Sequence, residues 1–190
     1  EESIEDTVLV VGGGLAGLTA AKAASGMGKP VVIVESRDEL GGRLLESKDL
    51  VPLEPPYDRT HPNEIARLVA EIEGDSNIKV LKSCKLERIK GQPGQFEAEA
   101  STANGKESFR AGAIVQATGA KPYDANRLDH LGYGSLPNVV TSHELEAMLA
   151  EGQLVRPSDG KKPGRIAFVQ CAGSRDENHL PYCSSDCCAT

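Results

Sequence analysis

Apolar positions along the chain come in short runs cut by glycine. Thr7–Val11 is a β-branched stretch of the kind buried in a parallel sheet. Gly12–Gly14 breaks it, and the spacing predicts a helix from about Leu15 to Met27, with Leu15, Leu18, Ala21 and Lys22 on one side. Gly26 and Gly28 end that helix, and Pro30 prevents its continuation. Val31–Glu35 is the second buried strand, so the chain opens with one βαβ unit. Gly41-Gly42-Arg43 opens a loop, and Lys48 to Pro62, with four prolines, is expected to be irregular. Pro62 suits the first position of a helix whose Ile65, Leu68, Val69 and Ile72 follow the spacing i, i+3, i+4, i+7.

Beyond Gly74-Asp75 the period shortens. Ile78–Leu81 is the next strand. Cys84–Lys90, Phe96–Ala100 and Ser108–Arg110, with turns at Gly91–Gly94 and Asn104-Gly105, predict a small antiparallel meander. Ala113–Ala117 returns the chain to the parallel sheet, and Thr118-Gly119 ends that strand. Thr141-Ser142-His143-Glu144 is a capping box before a helix ending near Gly152. A polar linker over Ser158–Gly164 precedes a further strand, Arg165–Gln170, which runs into Cys171. The fold class is therefore α/β. A Rossmann-like domain with a parallel sheet and a β-meander spans 1–157, and 158–190 begins a second α/β domain.

Composition narrows the chemistry. The chain has 190 residues, a net charge of -7 and only 4% aromatic residues, which argues against a nucleic-acid surface. No apolar run approaches the length of a membrane span, and a cytoplasmic protein is expected. The chain starts at Glu1 without Met, as a processed or partial chain would. Four of its five cysteines crowd the last twenty residues, a pattern that points to metal or redox chemistry rather than a distributed disulfide framework.

Gly12-x-Gly14-x-x-Gly17 lies between a strand and a helix, the context in which such glycines cradle a pyrophosphate. The first allows the tight turn, the second the approach of phosphate to backbone, and the third close helix–strand packing. The phosphates would sit at the helix N-terminus, over the amides of Leu15 and Ala16. Glu35 ends the second strand 18 residues after Gly17, where a carboxylate can accept ribose hydroxyls and repel a 2′-phosphate. Ser36 adjoins it.

With Gly41-Gly42 just beyond the acid, the sequence resembles the two-dinucleotide-binding flavoproteins, relatives of thioredoxin reductase and glutathione reductase. The resemblance implies FAD, with Gly42 close to its flavin side and Arg43 facing the phosphates or the flavin, an ordinary surface position being the alternative for Arg43. Ala117-Thr118-Gly119 then corresponds to the strand end that lies near FAD and marks the crossing into the next domain.

The carboxyl-terminal cysteines, Cys171, Cys183, Cys187 and Cys188, have the spacing Cys-x11-Cys-x3-Cys-Cys and replace a second glycine fingerprint, so NAD(P) binding there is not expected. Four thiolates on one segment suit zinc or an iron–sulfur cluster. The adjacent pair favours a cluster with several metal corners; a redox-active dithiol ranks second and zinc third. Cys84 is expected to be a buried small hydrophobe. His143 is a helix-start residue, His61 a cap, and His179, between the cysteines, is expected at the surface, with a role near the metal as the alternative.

Cys-x-Gly-Ser-Arg-Asp followed by Tyr-Cys-Ser-x-x-Cys-Cys is similar to the A subunit of heterodisulfide reductase and its relatives. These include the flavoprotein subunits of the quinone-interacting membrane-bound oxidoreductase complex, and Asn138–Leu149 also fits them. The resemblance implies a 4Fe–4S cluster held by Cys171, Cys183, Cys187 and Cys188. It also implies electron relay to other electron-transfer subunits of a heteromeric complex, in some members with flavin-based bifurcation. No cysteine lies between Gly42 and Cys84, so the ferredoxin-type insert of many such subunits is absent, and the chain stops two residues past its last cysteine. A part of a larger chain is expected. A thiol–disulfide oxidoreductase and a non-catalytic dinucleotide-binding piece are the alternatives.

Overall fold

In the computed structural model, residues 4–50, 55–56, 58–103 and 105–183 are described. The strand β1 (Val8–Val11) leads through the glycine turn into α1 (Leu15–Gly26) and back to β2 (Val31–Val34). A 3₁₀ turn over Gly42–Glu46 and a two-residue ladder, β3 (Asp49–Leu50) with β4 (His61–Pro62), come before α2 (Ile65–Glu73) and β5 (Ile78–Leu81). The antiparallel strands β6 (Lys85–Lys90), β7 (Phe96–Thr102) and β8 (Gly105–Ala111) follow, then β9 (Ala113–Gln116) and, after two short 3₁₀ turns, α3 (Ser142–Ala150). The chain divides into two compact units: Glu1–Leu45 with Glu64–Ala120, and Glu46–Asn63 with Lys121–Thr190.

The first unit carries a four-stranded parallel sheet in the order β5-β2-β1-β9 and the three-stranded meander β6-β7-β8. β1 pairs on both sides, Val10 with Ile33 and with Val115. The alternation of side chains along each strand makes two cores. Val10, Val31, Ile33 and Ile78 point to the face covered by Leu18, Ala21 and Ala24 of α1 and Ile65 and Ile72 of α2. Leu9, Val34 and Leu81 point to the other face, against Cys84, Ala98, Ala100 and Ala111. Burial on both faces explains why these strands read as continuous apolar runs rather than alternating ones. Cys84 is fully buried just before β6, and burial pushes its thiol pKa up, with Glu107 adding to the effect.

Several local expectations change. The packed face of α1 is Gly17, Leu18, Ala21 and Ala24, whereas Leu15 is exposed at the first turn and Lys22 pairs with Glu71 at the surface. Gly17, Ala21 and Ala24 let the helix sit close to the sheet, with Leu18 as the one large side chain on the packed face. Pro62 does not open α2. It ends the short ladder to Asp49, held by Asn63 Nδ2 donating to Ser47 O at 2.7 Å, and the helix starts three residues later. The segment after Gly41 is a 3₁₀ turn rather than an open loop.

In the second unit, Thr141 caps α3 in a reciprocal capping box with Glu144, as the sequence indicates. Arg165–Gln170 forms no strand: no described strand pairs with it, and Ile166, Phe168 and Val169 are exposed. A β-branched and aromatic run is only half of a strand, because ladder hydrogen bonds need a neighbour. Among the described residues, no helix is long and apolar enough to cross a membrane.

Candidate functional site

The first unit focuses its chemistry on the turn between β1 and α1. Gly12 has φ +109°, and Ala117 O lies 2.3 Å from where its Cβ would stand. The end of β9 thus passes directly over the turn, held by Ala117 N–H donating to Val11 O at 2.8 Å. A Cβ on Gly17 would lie 1.9 Å from Gly12 O and 3.3 Å from Val10 Cγ1, so α1 touches the turn backbone to backbone. Gly14 is the N-cap of α1 and has no side chain with which to cap it, and no acidic residue stands in the first turn. The leading amides of Leu15 and Ala16 have no intrahelical acceptor, which is the arrangement that favours an anion.

Glu35 follows β2 and is the buried charged residue of the described chain, 7% exposed. Its Oε2 accepts from Gly13 N–H at 2.5 Å, and its Oε1 accepts from Arg37 N–H at 2.7 Å and Ser36 Oγ at 3.1 Å. Burying a carboxylate is costly unless donors surround it, and these three supply that compensation. An ionised carboxylate has about four acceptor positions, so Glu35 fixes the glycine turn and still has capacity for a hydroxyl.

The Gly41-Gly42 pair lies against the same turn. Gly41 N–H donates to Gly13 O at 2.8 Å, and a Cβ on Gly42, at φ +61°, would approach Gly14 Cα to 2.9 Å. Arg43 does not simply face solvent: its guanidinium donates to Ala120 O, tying the 3₁₀ turn to the segment after Thr118-Gly119. Gly119 has φ +67° and open space around it. The structure therefore gathers Gly12, Gly14, Leu15, Ala16, Gly17, Glu35, Ser36, Gly42, Arg43, Ala117, Thr118 and Gly119 around one turn. Gly13 and Leu40 complete the set without having been expected. A Cβ on Gly13 would meet Leu40 Cδ2 at 2.5 Å and Glu35 Oε2 at 3.0 Å, so side chains crowd Gly13 as backbone crowds Gly12, whereas a Cβ on Gly14 would meet only Gly42 Cα, at 4.0 Å. The unbroken run Gly12-Gly13-Gly14 is the signal that could have found it.

In the second unit, Cys171 is half-buried with φ 58°, and Cys183 is exposed. Cys187 and Cys188 lie outside the described residues. Among those described, no three His, Cys, Asp or Glu side chains converge on one point. The donor chemistry of the two described thiols suits a soft metal. The segment between them folds back on itself, with Arg175 N–H donating to Tyr182 O and Leu180 N–H to Gly173 O, both at 3.1 Å.

The chain is similar to several known proteins. The iron-sulfur A subunit of a CoB--CoM heterodisulfide reductase from Methanopyrus kandleri is 25% identical over 275 aligned positions, which take in 99% of this chain and 40% of that protein. The A subunit of the H(2):CoB-CoM heterodisulfide,ferredoxin reductase of Methanothermobacter thermautotrophicus is 45% identical over 86 residues, 42% of this chain and 13% of that protein. The chain thus spans about 40% of the length of the curated relatives that it matches throughout. Among solved structures, L-proline dehydrogenase from P. horikoshii shares the fold, with a TM-score of 0.50 and 23% identity over 63% of this chain and 24% of that one. The model of the family described as pyridine nucleotide-disulphide oxidoreductase matches residues 6–148, a stretch that begins before β1 and ends within α3. The turn, its acid and its covering strand all fall inside that match, and the chain belongs to the pyridine nucleotide-disulphide oxidoreductase family.

Proposed function

We propose that the chain is the FAD-binding, electron-relaying part of a flavoprotein oxidoreductase that works within a heterodisulfide reductase-like complex in the cytoplasm. The observation that carries this reading is the closed glycine turn: Gly12 beneath Ala117 O, an α1 N-terminus without a side-chain cap, and Glu35 at the end of β2.

Each residue has a task in that reading. The amides of Leu15 and Ala16 receive the pyrophosphate, because they are donors without an intrahelical partner at the positive end of α1. Glu35 accepts a ribose hydroxyl at its remaining position while its other bonds keep the turn in shape. Gly42 gives the cofactor access to backbone beside Gly14, and Arg43 holds the strand-end segment through Ala120 O. When bound, FAD would supply one- and two-electron exchange, and a 4Fe–4S cluster on Cys171, Cys183, Cys187 and Cys188 single-electron transfer. The subunits named among the relatives support other electron-transfer subunits as partners.

The test is an anaerobic absorption spectrum with iron and acid-labile sulfide analysis on the natural protein. Flavin bands with roughly four irons per cluster, as a Cys₄-bound 4Fe–4S centre requires, support the relay. Flavin without iron, with thiols that titrate as a dithiol, replaces the relay with a thiol–disulfide oxidoreductase. Protein without flavin refutes the reading and leaves a non-catalytic dinucleotide-fold piece.

A further inference from the structure

The loop that carries Cys171 is shaped before any metal enters it. Ser174 N–H donates to Cys171 O at 3.0 Å, Asp176 N–H to Leu180 O at 3.2 Å and His179 N–H to Asp176 O at 3.1 Å. The closure at Arg175–Tyr182 brings in Tyr182, the residue before Cys183. This shape is not free: Cys171 and Arg175 stand at φ 58° and 57°, a region that side-chain-bearing residues rarely adopt. A contact from outside the loop can add to what these bonds contribute.

Tyr123 is in position to do so. Its ring packs on Gly173, where a Cβ would come within 2.9 Å of Cδ1 and 3.0 Å of Cε1. Its hydroxyl lies 2.5 Å from His179 Nδ1, and the two rings meet edge to face with centroids 5.8 Å apart. One side chain from a distant segment thereby grips both the outgoing limb of the loop, at Gly173, and the returning limb, at His179. The Arg127 guanidinium stacks over the Tyr123 ring at 5.5 Å, and His130 lies 6.2 Å from the His179 ring, so the gripping residue is itself held.

We propose that Tyr123 and His179 are positioning residues for the cysteine loop, whose hydroxyl–imidazole bond keeps residues 171–182 in the conformation that presents Cys171 and Cys183. The part concerning metal rests on the cluster reading above; the bracing of the loop does not. In this role His179 is neither a ligand nor a simple surface residue.

The experiment uses the natural protein in metal-free form, with Tyr123→Phe, His179→Ala and His179→Asn variants. Asn is the rescue, because its amide places a donor and an acceptor near the position of Nδ1. Amide hydrogen exchange is followed over residues 171–182, and iron and sulfide uptake is then timed during anaerobic reconstitution. Loss of one hydrogen bond should speed exchange roughly two- to tenfold in Tyr123→Phe and His179→Ala. Uptake should slow in proportion, and His179→Asn should return both towards wild type. Unchanged exchange in both Tyr123→Phe and His179→Ala overturns the proposal whatever the metal does. Faster exchange in those variants without rescue by Asn also overturns it, because a general packing role would then suffice. Faster exchange with rescue, in a protein that takes up no iron even as wild type, upholds the brace and refutes the cluster reading alone.

Discussion

Replacing Gly17 by alanine sets two effects of one methyl group against each other. Within a helix the change should help, because alanine is better than glycine by about 1 kcal/mol. The structure opposes it. The new Cβ would stand 1.9 Å from Gly12 O, where contacts under 3.0 Å are essentially never seen, and the obstacle is backbone rather than a side-chain tip. Helix α1 would have to retreat from β1 by about 1 Å, loosening Leu18 and Ala21 over Val10. Overpacking of this kind costs about 1–3 kcal/mol, so the net expectation after the helix gain is a loss of roughly 0–2 kcal/mol. The amides of the first turn move with the helix. In the proposed function these amides hold the pyrophosphate, so losing one such bond, worth about 1.5–3 kcal/mol, should weaken flavin binding by roughly ten- to a hundredfold. Gly26→Ala in the same helix is the control, because its Cβ meets nothing within 4 Å; it should be neutral or stabilising by up to about 1 kcal/mol. Urea denaturation followed by far-ultraviolet circular dichroism, and then flavin titration, measures both quantities. If Gly17→Ala equals Gly26→Ala in stability and in flavin affinity, the backbone contact is not what the glycine serves.

Three further outcomes follow from the described contacts. Asp75 accepts from Ser25 Oγ at 2.5 Å and from Asn77 N–H at 2.9 Å, and these bonds hold its carboxyl below the ordinary aspartate value. Its contribution is therefore complete above that ordinary value and is lost as pH falls through the lowered one. The stability gap between wild type and Asp75→Asn should be present at neutral pH and close in acid, as urea midpoints at the two pH values would show. Cys84 is buried with a raised thiol pKa, so iodoacetamide at mildly alkaline pH should label it only after denaturant is added; rapid labelling of the peptide that carries Cys84 in the folded protein, read by mass spectrometry apart from the exposed Cys183, would contradict its place in the core. Thr141→Ala removes one half of the capping box and should cost about 1 kcal/mol, read by chemical denaturation, while Thr141→Ser should cost little.

The parallel sheet was legible because its strands are short apolar runs that glycine punctuates, and β1, β2, β5 and β9 fall within a residue of where hydrophobicity places them. The glycine turn was legible because its glycines serve backbone contacts, which spacing encodes directly. What sequence could not supply was partnership. Arg165–Gln170 has the composition of a strand, but composition names no neighbour for it. Pro62 fits a helix start or a strand edge equally well, and its short ladder with Asp49 decided the matter. Glu35 was found by position, yet its bond to Gly13 N–H depends on a turn whose side-chain approach no periodicity records. Tyr123 and His179 lie far apart in sequence and carry no motif, so only their meeting in space makes them noticeable.

The strand that covers the glycine turn is also the last of its sheet to be synthesised. Val8 pairs with Ala113, and α1, β2, α2, β5 and the whole meander lie between them in the chain. As the chain leaves the ribosome, β1, α1 and β2 can dock on one another early, because their contacts are local. The neighbouring position on β1 must then wait for about 80 further residues, roughly 4–16 s of translation at ordinary speeds. Until that moment Gly12 has no roof and one edge of β1 is open to other chains. If the turn takes a nucleotide as proposed, a site roofed by β9 is complete only after β9 is in place, and binding would then report that the first unit has been completed.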